Sequence, residues 1–410
     1  MSEYRINAPN SFNGWDPLEQ AILGNSYTPE FFDDVKDSKL RDLLQKLLYE
    51  TQEDLNNFQR ELEAQGVDVV RIPENTCMYN PETNYESISH LYELTRNTEH
   101  NTDIWNGWLT SRGGMPRPYI SPRDSLITYG NTMEFTLCEP NIIKMMTDNK
   151  FIDPRVLNTD LNDARIRTDN AKEYALGPLD PRDEYLKNIG TNIENKHTKF
   201  SEDWMKYREM TWFYPAPLVT RVGDRLVVDT AEYSNMGEYI SSRYPQYKQT
   251  KVGIGGHSDG TFCPVKPGHI ITTQWQTDYS DTFPGWNVHV IENSETAGRN
   301  INTFLQSRNV TSGKWWTPES ENNASYVEYV ESWLQDWVGF SEESVFEVNM
   351  LVVNPELVFC TNYNKGVFDY LESIGMTPHI VPFRHRWFWD GGLHCLTVDT
   401  KRRGGIQSYF

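Results

Sequence analysis

One pattern of strands and helices recurs along the chain and constrains its fold more than any other feature. Near the C-terminus, apolar runs at 349–353 and 357–360 flank an Asn354-Pro355 turn, and together they predict a hairpin. A helical segment over 367–374 and a further strand over 379–382 complete a ββαβ unit. Partial copies of this unit lie around 124–136, 225–255 and 269–292. Repeats of one supersecondary unit at long spacing predict a closed, pseudo-symmetric array.

The N-terminal part of the chain contains the same kinds of element. Apolar runs within 15–24 and 67–72 each predict a strand. Between them, leucines at three- and four-residue spacing predict a helix over about 36–65 with one apolar stripe. Gly66 follows the end of this helix, where a residue in the left-handed conformation is favoured.

Size and composition indicate an ordered globular protein. The chain has 410 residues, of which 38% are hydrophobic and 13% aromatic, and it can bury a sizeable core. No linker separates autonomous halves. We therefore expect a single domain over 1–410, with loop-rich insertions near 79–118 and 147–199.

The charge balance argues against two classes of partner. The formal net charge is −20, which disfavours binding to nucleic-acid phosphates and would favour a cationic substrate. No apolar run is long enough to span a bilayer, and Met1–Arg5 does not resemble the start of a signal segment. We therefore expect a cytoplasmic protein that binds neither nucleic acid nor membrane.

The cysteines do not follow a disulfide or metal-binding pattern. Five of them stand far apart in the chain: Cys77, Cys138, Cys263, Cys360 and Cys395. An odd number of widely spaced cysteines is typical of free thiols in a reducing compartment. His394 and Cys395 fall on a predicted strand, where their side chains would point to opposite faces and could not share a metal. We expect no metal and no cofactor.

The tail of the chain carries the clearest chemical signal. Gly391-Gly392 precedes Leu393-His394-Cys395 at the start of a short β-type run, and Lys401-Arg402-Arg403 follows it. Paired glycines let backbone approach closely, so we expect the Cys395 thiol to be reachable from a cleft. A cysteine in this setting is a candidate nucleophile.

This tail closely resembles the end of the glycine (arginine:glycine) amidinotransferases. Three further stretches resemble the same family in the same order: Asn13–Glu19, Pro122-Arg123-Asp124 and His257–Phe262. The resemblance implies the pentein fold, an α/β five-bladed propeller of ββαβ units with pseudo-fivefold symmetry, which agrees with the repeats. It also implies a homodimer.

Carried over position by position, the resemblance implies a catalytic site. Cys395 would be the nucleophile and His257 the acid/base, while Asp124 and Asp259 would grip the guanidinium of the donor. His257 and Asp259 stand two residues apart on a predicted strand, so they would share one face. The implied reaction moves an amidino group from L-arginine, or a related guanidine, to an amine such as glycine through an amidino-cysteine. The implied partners are therefore a small guanidine donor and an amine acceptor.

Two positions depart from the family. The segment 212–223, which would supply an acid to the histidine, holds no carboxylate, and the nearest alternatives are Glu209, Asp224 and Asp229. Gln276 stands where an arginine would bind the donor's carboxylate, and the serine pair that helps it is replaced around 341–344. The donor is therefore held differently or is not free arginine.

Two other functions stay open on these residues. A pentein hydrolase of the deiminase or dihydrolase type would use the same cysteine, histidine and carboxylates, with water in place of the amine. A non-catalytic pentein would bind a small cation or a partner without turnover.

Overall fold

A computed structural model describes most of the chain outside its loop-rich segments. The described residues are 3–76, 117–136, 140–159, 214–230, 236–253, 257–273, 279–291, 293–294, 299–300, 323–334, 337–338 and 346–410. Most of the two expected insertions, near 79–118 and 147–199, lies outside these residues, as do Cys77, Cys138, Glu209 and Gln276.

The strands are short, and most have four or five residues. In chain order they are β1 Leu18–Leu23, β2 Asp68–Arg71, β3 Leu126–Tyr129, β4 Thr132–Phe135, β5 Val219–Val222, β6 Arg225–Asp229, β7 Lys248–Val252, β8 Phe262–Lys266, β9 His269–Thr273, β10 Asn287–Ile291, β11 Asn293–Ser294, β12 Arg299–Asn300, β13 Leu351–Asn354, β14 Leu357–Cys360, β15 Thr377–Ile380 and β16 Thr397–Arg402.

The helices differ widely in length. In chain order they are α1 Ser38–Ala64, α2 Pro140–Asp148, α3 Met236–Arg243, α4 Tyr279–Thr282, α5 Ala324–Trp333, α6 Lys365–Ser373 and α7 Arg386–Trp389.

A three-stranded sheet is the repeating unit of this mixed α/β fold. In β5-β6-β7, β8-β9-β10 and β13-β14-β15, the first two strands are antiparallel and the third pairs in parallel with the second. A parallel neighbour requires a crossover connection, and α3, α4 and α6 provide it. These sheets confirm the ββαβ pattern that the sequence predicts.

Two further sheets follow the same plan. β16 and β1 are antiparallel, and β1 pairs in parallel with β2 after the crossover through α1, so the two ends of the chain meet in one sheet. The other unit is shorter. Its strands β3 and β4 are antiparallel, and one parallel bridge from Met133 to Leu157 follows α2. In the described residues, no strand ladder joins one of these five sheets to another.

The long helix α1 follows its sequence pattern closely. The Asp37 side chain accepts hydrogen bonds from the backbone N–H groups of Lys39 and Leu40, which satisfies donors at the helix start. The apolar stripe is buried, and Phe58 packs edge-on against Phe359 of β14 with ring centroids 6.4 Å apart. Gly66 has a φ of 81°, the left-handed conformation expected after the helix.

A short turn precedes the first strand of every unit. These turns are Pro122–Asp124, Ala216–Leu218, Ser258–Gly260, the turn at 346–348 and the turn at 393–396. Most of the residues that the sequence analysis selects for catalysis stand on or beside these turns, so the repeat itself brings them to equivalent places.

A buried ion cluster ties three of the units together. Asp399 of β16 accepts hydrogen bonds from Arg123 Nη2 at 2.6 Å, Arg221 Nη2 at 2.7 Å and Arg402 Nε at 2.7 Å. Burial by itself would raise the pKa of Asp399, but the three guanidinium groups hold that pKa well below its ordinary value. Arg123 belongs to the turn before β3 and Arg221 to β5, so one carboxylate fixes the start of both strands relative to β16.

Candidate active site

Cys395 lies in the turn that precedes β16. The sequence pattern predicts that Cys395 stands at the beginning of a strand, but the strand begins only at Thr397. The thiol is 1% exposed, and the residue belongs to the turn at 393–396. A turn, unlike a strand, lets consecutive side chains reach the same neighbour.

Asn349 holds the Cys395 turn with both atoms of its side-chain amide. Its Oδ1 accepts the backbone N–H of His394 at 3.1 Å and of Cys395 at 3.2 Å. Because Oδ1 faces two donors, the other amide atom is the nitrogen, and it donates to Cys395 Sγ at 2.9 Å. Sequence reasoning missed this residue, since nothing in the run before β13 marks Asn349 as functional.

Gly392 is required where the turn crosses Asn349. A Cβ added at Gly392 would lie 2.6 Å from the backbone oxygen of Asn349 and 2.7 Å from its Oδ1. No side chain fits at such a distance. The paired glycines therefore allow the close backbone approach that the sequence predicts.

Asp259 stands beside the thiol, on the turn before β8. Its Oδ2 lies 3.6 Å from Cys395 Sγ and 2.6 Å from Nδ1 of His394. Its Oδ1 is buried and accepts no hydrogen bond from any described residue. A buried carboxylate oxygen without a donor is costly, so this atom can accept a hydrogen bond from a water molecule or a ligand.

The expectation that His394 and Cys395 point to opposite faces is wrong. Both side chains reach Oδ2 of Asp259, because the chain turns there instead of extending as a strand. His394 is therefore a part of the site, although the sequence analysis gave it no role.

The charges of Asp259 and His394 influence each other. Burial opposes ionisation of Asp259, but the hydrogen bond and charge of His394, aided by His257 and Arg123, lower the pKa of this carboxyl. Burial and the charge of Arg123 lower the pKa of His394. At neutral pH this pair is accordingly a carboxylate beside a neutral imidazole.

His257 and Asp124 lie close to each other, and the charge of His257 acts on Asp259. Nδ1 of His257 lies 3.9 Å from Oδ1 of Asp124, and both side chains are mostly buried. His257 precedes the turn Ser258–Gly260 in extended backbone, and neither it nor Asp259 is on a strand, contrary to expectation. They reach a common site because the turn brings them there.

The alternative acids for His257 have different surroundings. Asp224 forms an ion pair with Lys248 at 2.8 Å. Asp229 is buried at the end of β6 and acts electrostatically on Tyr279. Asp124 Oδ1, in contrast, lies within 4 Å of the imidazole. Glu209 and Gln276 lie outside the described residues.

A cavity of about 60 Å³ adjoins the site. Asp259 and His394 belong to its wall, together with residues of β5, β8 and β13. Arg123 and Arg221 of the buried ion cluster also line it, as does the thiol-bearing Cys263. This volume leaves room for a few water molecules next to the Asp259–His394 pair.

Two other classes of feature are absent from the described part of the chain. No group of three histidine, cysteine, aspartate or glutamate side chains there is arranged to hold a metal ion. No described helix is both long and apolar enough to cross a bilayer.

Among known sequences, this chain is similar to amidinotransferases. No model of a known protein family matches the chain. Over 63 residues it is 35% identical to the mitochondrial glycine amidinotransferase of Danio rerio, which covers 15% of each chain. It is also 30% identical to inosamine-phosphate amidinotransferase 1 of Streptomyces glaucescens over 73 residues. The aligned segment is 18% of this chain and 19% of the relative. These two matches thus span less than a fifth of either relative.

A longer alignment and two solved structures extend the likeness to the whole chain. The mitochondrial glycine amidinotransferase of Gallus gallus is 21% identical over 428 aligned residues, with 98% of this chain and 84% of the relative covered. SxtG, an amidinotransferase of the saxitoxin biosynthetic pathway from Microseira wollei, superposes with a TM-score of 0.54 at 16% identity, covering 98% and 99% of the two chains. Inosamine-phosphate amidinotransferase StrB1 of Streptomyces griseus has a TM-score of 0.51 at 15% identity, with the same coverage. At these identities, the superpositions demonstrate a shared fold.

Proposed function

Because this chain belongs to the amidinotransferase family of pentein proteins, we propose that it transfers an amidino group from a guanidine donor to an amine through a covalent intermediate on Cys395. One observation carries the proposal. Oδ1 of Asp259 is buried and accepts no hydrogen bond from a described residue. Oδ2 of the same carboxylate lies 3.6 Å from the Cys395 sulfur. A planar cation bound to that carboxylate would present its carbon to the thiol.

The proposed architecture is a single domain in which the five repeated sheets are the blades of an α/β propeller with pseudo-fivefold symmetry. The equivalent turns before the first strand of each sheet support it, as does the cavity lined by β5, β8 and β13. In such an arrangement the turns would converge on the propeller axis. A homodimer and a cytoplasmic location remain expectations from the family resemblance.

We assign the guanidinium to two carboxylates, Asp124 and Asp259. A guanidinium is planar and permanently charged, and its N–H edges suit bidentate hydrogen bonds to carboxylates. Two such contacts would fix the plane of the cation and leave its carbon accessible to Cys395. Gln276 would face the carboxylate of the donor, which a neutral side chain binds less firmly than an arginine does.

The first half of the reaction forms the covalent intermediate. Cys395 transfers its thiol proton to His257, and the sulfur attacks the guanidinium carbon to form an S–C bond. His257 then donates this proton to the departing nitrogen as the C–N bond breaks. If the donor is L-arginine, ornithine leaves and an amidino group remains on Cys395.

The second half transfers the amidino group. The nitrogen of an incoming amine, such as glycine, bonds to the amidino carbon and gives a proton to His257. The C–S bond then breaks, the new guanidine leaves, and His257 returns a proton to the sulfur. Asp124, 3.9 Å from Nδ1, would orient the imidazole and stabilise its charged form.

A product assay with a covalent trap tests this function. The full-length protein is incubated with arginine alone, and with arginine plus glycine or another small amine, while ornithine, citrulline, ammonia and new guanidines are measured. Amidino transfer predicts ornithine and a new guanidine that both depend on the amine. Intact-mass analysis should also find one amidino group on the wild-type protein and none on Cys395→Ala.

Other products would favour other functions. Citrulline with ammonia, formed without an amine, would assign the site to hydrolysis. Absence of every product and of any adduct, with a panel of guanidines in place of arginine, would leave only cation binding and would refute amidino transfer. Cys263→Ala is the matched control, because this thiol lines the cavity and is not assigned to the reaction.

A further inference from the structure

His394 is the closest partner of the carboxylate that we assign to the cation. Asp259 is 8% exposed, and the two described groups near its Oδ2 are His394 at 2.6 Å and the Cys395 thiol at 3.6 Å. A thiol is a weak donor, and a buried carboxylate with no stronger partner would tend to bind a proton. His394 therefore decides whether Asp259 is available as an anion.

The position of His394 is fixed independently of its ring. Its backbone N–H donates to Asn349 Oδ1 at 3.1 Å, in the same clamp that holds Cys395. The His394 side chain lines the cavity of about 60 Å³ together with Asp259, and it is 26% exposed. A ring held in this way can engage one oxygen of Asp259 and leave the other unoccupied.

The state of the imidazole preserves the charge of the site. A neutral imidazole that donates from Nδ1 satisfies Oδ2 without cancelling the negative charge. The surrounding charged groups are Arg123 and Asp399 of the buried cluster and, through Asp259, His257. The carboxylate thus remains anionic for a cationic ligand, with Oδ1 as the open acceptor.

We propose that His394 is a positioning residue that holds Asp259 as an oriented anion and thereby makes the site select cationic amidines and guanidines over neutral amides and ureas of the same shape. The proposal rests on the proposed function only in naming the natural ligand a guanidine. The selectivity itself follows from the contacts of Asp259 and can be measured without turnover.

Alkylation of Cys395 by two isosteric reagents tests the selectivity. Chloroacetamidine is a cation and chloroacetamide is its neutral counterpart, and both lose chloride when a sulfur attacks. The ratio of their inactivation rates reports how strongly the site prefers the cation. We expect His394→Ala to lower this ratio about tenfold or more, because it removes a hydrogen bond to a buried charge. His394→Asn retains a side-chain N–H near the position of Nδ1 and should restore most of the ratio.

The controls separate positioning from folding. His379→Asn alters an exposed histidine that lies 3.2 Å from Glu61, and it should leave the ratio unchanged. The rate with chloroacetamide should change little in His394→Asn if the thiol environment is intact. His394→Leu, which has no side-chain donor and keeps more of the side-chain volume, replaces the alanine variant if that variant does not fold.

Defined outcomes would overturn the proposal. An unchanged ratio in His394→Ala, or in His394→Leu where only that variant folds, would show that Asp259 does not depend on the ring. A loss in His394→Asn as large as that in His394→Ala would show that the hydrogen bond is not the cause. The wild-type protein could turn over no guanidine and still be alkylated faster by chloroacetamidine than by chloroacetamide, with this preference lost in His394→Ala. That result would refute the proposed function and leave this inference standing.

Discussion

The side-chain nitrogen of Asn349 donates a hydrogen bond to the Cys395 sulfur, with 2.9 Å between Nδ2 and Sγ. The same amide accepts the backbone N–H of Cys395 at 3.2 Å, so one side chain both places the turn and donates to the reacting atom. A donor at this distance stabilises negative charge on sulfur more than it stabilises the thiol. The proposed nucleophile is therefore supported by a residue 46 positions earlier in the chain.

Replacing Asn349 should weaken the nucleophile. In Asn349→Ala we expect alkylation of Cys395 by chloroacetamide to slow about ten- to a hundredfold at neutral pH, because the thiolate loses its donor. Two backbone N–H groups would also lose their acceptor, at a cost of about 1 to 3 kcal/mol in the free energy of unfolding. Asn287→Ala, at an exposed site, is the control. Alkylation at the wild-type rate in Asn349→Ala would show that the contact does not activate sulfur.

Gly392 should tolerate no side chain. Gly392→Ala places a Cβ 2.6 Å from the backbone oxygen of Asn349, so the turn that carries Cys395 must shift. We expect a loss of about 1 to 3 kcal/mol in the free energy of unfolding, together with a larger loss of kcat than of substrate affinity. Gly405→Ala is the matched control, because nothing lies within 4 Å of its added Cβ. Equal denaturation midpoints and equal kcat for the two variants would contradict the prediction.

Asp399 should contribute stability that depends on pH. In Asp399→Asn, three buried guanidinium groups lose their shared anion, which should cost about 3 to 5 kcal/mol near neutral pH. The folded pKa lies below the unfolded value of about 4, so this stabilisation is complete above the unfolded pKa. It is lost as the pH falls through the folded pKa.

Urea unfolding at a series of pH values measures that contribution. The difference in free energy of unfolding between wild type and Asp399→Asn should be constant near neutral pH and should shrink below about pH 4. Asp369→Asn is the control, since its carboxylate pairs with exposed Lys365 one helical turn away. A difference that grows as the pH falls would mean that the sign of the linkage is wrong.

Asp124 should affect both binding and chemistry. In Asp124→Asn we expect kcat/KM for the guanidine donor to fall about a hundredfold or more, with KM rising and kcat falling. The rise follows from the lost charge contact with the cation, and the fall follows from the lost partner of His257, 3.9 Å away. Steady-state kinetics against Asp148→Asn, at an exposed position, tests this. A change in KM alone would show that Asp124 does not act through His257.

The local elements were predictable because their signals are local. The leucine spacing of α1 and the apolar runs of β13 and β14 depend on neighbours a few residues away, and the structure places them within a few residues of the prediction. The paired glycines before Cys395 indicated a close backbone approach, which Gly392 makes against Asn349. In the basic run after it, Lys401 and Arg403 both form ion pairs with Glu19.

The site itself was only partly predictable. Asp124, His257, Asp259 and Cys395 were chosen from short stretches that resemble one family, and the structure gathers them around Asp259. The backbone conformation predicted for His257, Asp259 and Cys395 was wrong. The amino-acid sequence of a turn of three or four residues cannot be told from that of the start of a strand. That difference decides which way each side chain points.

What the sequence by itself determined is the repeat, its helices and strands, and the thiol that follows the paired glycines. Only the tertiary structure decided that His394 would share an oxygen of Asp259 with Cys395, and that Asn349 would hold the sulfur. The same is true of Arg123, which meets Asp399 from a position 276 residues away. Such contacts join turns of different sheets, and their distances are set by how the sheets pack, which no local pattern of residues records.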